Sequence, residues 1–162
     1  MVIALNKFDE FIRIAQCLNS SFGITPVLYG SLGLQISSGI NFDPDDIDIL
    51  IPDVLLNEKW IVFKKEIETL GYLLIDLHEH EFIKDKLKIA FAKEEDLLGF
   101  AQVNYEKLAV VDNSGVKYKV LGLEEYLRVY ERSLSDGYRR TKNNGKDIIK
   151  IDAIKSIIES VD

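Results

Sequence analysis

Asp46 and Asp48 stand one residue apart in a run whose other members, Ile47, Ile49 and Leu50, are aliphatic. If Asp46–Ile51 is a strand, side chains alternate between its faces, so both carboxylates point one way. Ile47, Ile49 and Ile51 then point the other way, into a core. The two carboxylate roots lie roughly 6.6 Å apart along such a strand, close enough for both side chains to bend onto one divalent cation. At an effective dielectric of ~20, two bare carboxylates ~5 Å apart repel by roughly 3 kcal/mol. Oxygen-only ligands of that charge suit Mg²⁺. An Asp-x-Asp pair on a solvated edge strand needs no metal. Asp is disfavoured in strands, however, and here a pair opens an aliphatic run. Upstream, Tyr29-Gly30-Ser31 forms a small-residue turn after the short apolar run Thr25–Tyr29. A helical turn over Ser31–Ser38 would place free backbone N–H groups beside Gly30, where phosphate oxygens could bind.

The flanking segments supply the elements that would hold these groups. Asn6 can cap a helix running to about Asn19, with Phe8, Phe11, Ile12, Ala15 and Leu18 on one stripe. A second helix is expected from Leu55 to Leu70, with Gly71 in the position that ends it. Tyr72–Phe82 alternates as one strand, Leu87–Ala92 as another, and Leu108–Asp112 with Val116–Val120 as a hairpin around Asn113-Ser114-Gly115. Helices are expected over Glu124–Leu134 and Lys146–Val161, joined by a polar connector. This order implies an α+β fold, a mixed sheet flanked by helices with the last helices docked alongside.

The chain has 162 residues, 47% hydrophobic and 29% charged, which fits one globular domain over 1–162. Its net charge is −7 and its isoelectric point about 4.9. Such a surface repels phosphate backbones and disfavours duplex nucleic acid as a partner. Cys17 is the sole cysteine, so no intrachain disulfide forms. No stretch reads as a signal peptide or a membrane span, and a cytoplasmic location is expected.

Tyr29-Gly30-Ser31 followed by Asp46-Ile47-Asp48-Ile49 resembles the signature of the polymerase-beta-like nucleotidyltransferase superfamily. Leu123-Glu124-Glu125-Tyr126-Leu127, then Lys146-Asp147 and Asp152, is similar to the C-terminal part of its small bacterial members. These include the lincosamide and aminoglycoside nucleotidyltransferases and the head domain of CCA-adding enzymes. The resemblance implies a nucleotidyltransferase-like fold. It also implies transfer of a nucleoside monophosphate from an NTP, first of all ATP, to a hydroxyl acceptor. Asp46 and Asp48 would be the catalytic carboxylates and Mg²⁺ ligands. Gly30 and Ser31 would cradle phosphates, with Lys146 as an electrostatic helper. Many members carry a third acid on a later strand. The matching segment here is Lys88-Ile89-Ala90-Phe91, and Ala90 can neither ligate a metal nor take a proton. Asp76 and Glu94 are the other acids in reach of that role. The alternative implied by Ala90 is a catalytically decayed nucleotide-binding or protein-interaction module of the same fold.

Three further groups invite chemistry. His78 and His80 alternate with Asp76 and could bind Zn²⁺, but no further His or Cys joins them and Glu79 and Glu81 interleave, so a solvated strand end is the favoured reading. Arg128, Arg132, Arg139, Arg140, Lys142 and Lys146 concentrate positive charge in the last third. They could face a triphosphate or pair with Glu124 and Glu131. Asp43–Asp48 has the acids of a Ca²⁺ loop without its spacing. A chain this short can borrow substrate walls from a second copy, so a homodimer is compatible with the sequence.

Overall fold

In the computed structural model, residues 6–160 are described except Asp136, with backbone alone for 137–144. The chain order is α1 (Lys7–Phe22), β1 (Val27–Tyr29), α2 (Gly30–Ser38), β2 (Ile47–Ile51), α3 (Asp53–Leu56) and α4 (Trp60–Thr69). There follow β3 (Leu73–Asp76), β4 (Glu81–Lys84), β5 (Leu87–Lys93), α5 (Asp96–Ala101) and a 3₁₀ turn (Tyr105–Lys107). The hairpin β6 (Ala109–Asn113) and β7 (Val116–Val120) leads to α6 (Leu123–Ser135) and α7 (Gly137–Ser160).

The strands form one seven-stranded mixed sheet in the order β3-β4-β5-β2-β1-β7-β6. β2 pairs parallel with β5, and β1 parallel with β7, while the other neighbours are antiparallel. Each face carries its own core. Phe11, Ile14 and Leu18 of α1 and Phe63 and Ile67 of α4 bury Ile47, Ile49, Ile51, Ile89 and Phe91 on one face. On the other, α5, α6 and α7 bring Leu97, Tyr126, Val129, Ile151 and Ile154 against Val27 and Leu50. The aliphatic half of the Asp-x-Asp run therefore faces α1 and α4, as period-two alternation requires.

Local chemistry explains the boundaries. The Asn6 side chain accepts the Asp9 N–H at 3.1 Å and starts α1, and Gly23 ends it at φ +63°. The Ser114-Gly115 turn has positive φ at both residues, and Asp112 accepts the Gly115 N–H at 2.7 Å.

Three expectations need correction, and one element went unforeseen. Leu55–Leu70 is not one helix: α3 ends at Leu56, and a turn at Asn57 separates it from α4. Tyr72–Phe82 is not one strand but a β3–β4 hairpin. There the Asp76 carboxylate accepts the Glu79 N–H at 3.1 Å, and His80 takes φ +51°, so the chain reverses. The expected polar connector is the first half of α7, which starts at Gly137. The short helix α5 carries no sequence pattern long enough to announce it.

Candidate active site

β1 ends at Tyr29, and the chain turns at Gly30 with φ +64°, a conformation that L side chains rarely adopt. α2 starts in that turn without a side-chain cap, leaving its first N–H groups for other acceptors. Tyr29 pairs with Asp48 across the antiparallel β1–β2 ladder, which sets the turn against the Asp48 carboxylate. A Cβ on Gly30 would overlap Asp48 Oδ2 and lie 3.0 Å from its Cγ. Glycine is thus demanded twice, by dihedral and by contact.

Gly30, Ser31 and Asp48 line one cleft of about 650 Å³. Its floor includes Ala90 and Ala92 of β5. One wall carries Phe100, Tyr130, Ser133 and Lys150, and the far rim carries Asp53, Asn57 and His80. Tyr29, Tyr126 and Tyr130 stack in series, with ring centroids 6.3 and 5.9 Å apart. Lys150 Nζ then sits 5.0 Å above the Tyr130 ring. Tyr126 is fully buried, its hydroxyl donating to the Leu28 carbonyl at 3.4 Å. It locks α6 onto β1 directly behind the turn.

Asp46 immediately precedes β2, half-buried, and does not line the cleft with Asp48. Burial pushes its carboxyl up, Lys88 and Lys7 pull it down, and Asp45 raises it. Lys146 is exposed and outside the cleft lining, whereas Lys150, one turn further along the same helix, is part of it. The side chains of Arg139, Arg140 and Lys142 fall outside the described residues. Arg132 lies 5.3 Å from the Phe100 ring centre.

Ala90 stands directly beside Asp48 in the parallel β2–β5 ladder, so the neighbouring strand offers a methyl group there. Asp76 lies on edge strand β3, with β4 and β5 between it and β2. Glu94 follows β5 at the opposite end of β2, its N–H bonded to the Ile51 carbonyl at 2.9 Å. Burial pushes its carboxyl up against the pull of Lys119. His78 and His80 occupy the β3–β4 turn rather than a strand face. His78 is exposed, and His80 packs edge-on against Trp60 at 5.1 Å. Among the described residues, no three His, Cys, Asp or Glu side chains gather as a metal cluster. Mg²⁺ takes one or two carboxylates and completes its shell with water and substrate phosphates, so such a site does not require a cluster of three.

No protein-family model matches the chain. It is 47% identical over 156 residues to the uncharacterized protein YnaI of Bacillus subtilis (strain 168), covering 96% of this chain and 100% of that one. The chain belongs to the YnaI family. The fold of this YnaI-family member is nucleotidyltransferase-like. It matches the crystal structure of an antigenic nucleotidyltransferase-like protein from Paracoccidioides brasiliensis with a TM-score of 0.61 and 16% identity. That match covers 92% of this chain and 75% of the other. It also matches the solution structure of the antibiotic-resistance factor ANT(2'')-Ia with a TM-score of 0.51 and 10% identity, over 96% and 94% of the two chains. Among the described residues, no helix is long and apolar enough to cross a membrane.

What the sequence left unseen in this YnaI-family site is its wall. Tyr130 and Lys150 came to notice only through the fold, although Tyr126 and Tyr130 are four apart and so share a helix face.

Proposed function

We propose that the chain transfers a nucleoside monophosphate from an NTP, with ATP the first candidate, to a hydroxyl acceptor. The observation that carries this reading is the packing of Gly30 onto the Asp48 carboxylate at the mouth of a cleft. A phosphate-binding turn and an acid then address the same small volume. In this reading the Gly30 and Ser31 N–H groups and the Ser31 hydroxyl hold β- and γ-phosphate oxygens. Asp48 and Asp46 hold Mg²⁺, which when bound neutralises charge on the triphosphate. Lys150 faces the same cleft, with Lys146 a turn away at the surface, and the pair adds positive charge on the triphosphate side. The stacked tyrosines give the cleft a flat apolar wall suited to a ring system. The fold shared with nucleotidyltransferases supports the reading.

The test is calorimetric titration of ATP, CTP, GTP and UTP with and without Mg²⁺. Mg²⁺-dependent binding is expected in the parent and none in Asp48→Asn, with the circular dichroism of the two chains the same. Equal binding by the variant would overturn the site assignment.

Ala90 beside Asp48 favours a second reading, a nucleotide-binding module without turnover. Mg²⁺-dependent binding with no pyrophosphate release in the presence of any hydroxyl compound would support it.

A further inference from the structure

A hydroxyl that attacks phosphorus must give up its proton, and a positioned carboxylate is a common receiver. Asp48 is committed beneath Gly30, so the receiver has to come from another strand. The sheet register supplies one. Tyr29 pairs with Asp48, Asp48 with Ala90, and Ala90 with Glu81. Directly paired residues point to the same face, so Asp48 and Glu81 flank Ala90 on one rung. Their backbone positions are about 9.6 Å apart, two strand spacings. The residue paired with both is Ala90. Glu81 is not itself among the residues that line the cleft, whereas Asp48 and Ala90 are, so its carboxylate meets the site by leaning inward over Ala90.

We propose that Glu81 is the general base of the transfer, supplied from one strand further out than the position held by Ala90. This rests on the nucleotidyltransferase reading. Glu81 Oε takes the proton of the acceptor hydroxyl as that oxygen bonds to the α-phosphorus. The bond from the α-phosphorus to the bridging oxygen breaks, and pyrophosphate leaves with the electron pair. The proton then passes from Glu81 to water. Glu81 is free to act in this way. Among the described residues its ion pair is to Lys88 Nζ at 4.0 Å, too long for a hydrogen bond. The nearby alternatives are committed elsewhere: Asp76 holds the Glu79 N–H, and His80 is packed on Trp60. The charged groups around Glu81 are Asp48 on β2, Lys88 on β5, Asp76 on β3 and Asp46 before β2.

The experiment uses the full chain with ATP and Mg²⁺, water serving as the acceptor, and follows both calorimetric affinity and pyrophosphate release against pH. Glu81→Gln should bind Mg²⁺-ATP as the parent does and release pyrophosphate at least about 100-fold more slowly. The acid limb of the parent's pH profile should vanish in it. Adding Ala90→Asp to Glu81→Gln should restore release together with an acid limb. Unchanged release by Glu81→Gln overturns the proposal. So does loss of Mg²⁺-ATP binding in that variant, which would make Glu81 a holder of metal or phosphate. A parent that binds Mg²⁺-ATP without releasing pyrophosphate overturns it too. A parent that binds no NTP overturns the nucleotidyltransferase reading itself.

Discussion

Gly30 shows how one residue can carry two constraints. Its φ of +64° is strained for any L side chain, and its missing Cβ is the space that Asp48's carboxylate fills. Gly30→Ala should therefore cost more than about 1 kcal/mol of stability, because the native dihedral is closed to alanine. It should also displace Asp48 and weaken Mg²⁺-dependent nucleotide binding. Urea denaturation beside calorimetry measures both losses, and binding unchanged in Gly30→Ala would deny the contact any role. At this scale the sequence was readable where chemistry and spacing coincide. Gly30, Ser31 and Asp48 announced themselves, and the structure sets them on one cleft. Asp46 and Lys146 were named by the same logic, yet one lies just outside β2 and the other one turn short of the lining. Lys146 and Lys150 are four apart and share a helix face, so one turn of axial position separates them, and that depends on where α7 docks.

Among the elements, α1 is tied to the β3–β4 hairpin by a buried ionic group. Glu10 accepts from the Tyr72 hydroxyl at 2.8 Å and from Arg13 at 3.2 Å through two nitrogens, and Lys84 Nζ lies 3.4 Å away. Arg13 also donates to the Leu70 carbonyl at 2.6 Å, fastening the end of α4. Burial pushes the Glu10 carboxyl up, but hydrogen bonds from Arg13 and Tyr72 and the charges of Arg13 and Lys84 outweigh it and hold the carboxyl below its ordinary range. A carboxyl held low in the folded state stabilises above its unfolded-state value. That stability is lost as pH falls through the depressed folded value. Stability measured by urea from neutral pH downward should thus show an acid limb, and Glu10→Gln should flatten it while lowering stability at neutral pH. An acid limb equally steep in the variant would assign it to other carboxylates. None of this group was legible as a group, because Glu10, Arg13, Leu70, Tyr72 and Lys84 meet only once α1, α4 and the hairpin are packed. The hairpin itself was hidden by alternation that runs through its turn. Leu73, Ile75 and Leu77 keep period two, while Asp76 and His80 reverse the chain.

For the whole molecule, the legible part was the class and the boundaries near strong punctuation: Asn6, Gly71 and Ser114-Gly115. Strand order was not legible, because nothing in Val27–Tyr29 names Lys119 and Val120 as its parallel partners. That pairing yields a prediction. A chain ending at Gly115 lacks β7, α6 and α7, and with them Tyr118, Tyr126, Val129 and Ile154 of the two cores. It should lose cooperative unfolding in urea, which a single sharp transition would contradict.

The same pairing sets an order in time. During synthesis the glycine turn and its acid emerge early, but β1 keeps one side of its backbone bare until β7 leaves the ribosome. Long-range parallel pairing of this kind closes slowly and leaves a sticky strand waiting. The nascent chain thus carries its glycine turn and Asp48 on an open seam until β7 is made, and the candidate cleft is complete only when that seam is sewn shut.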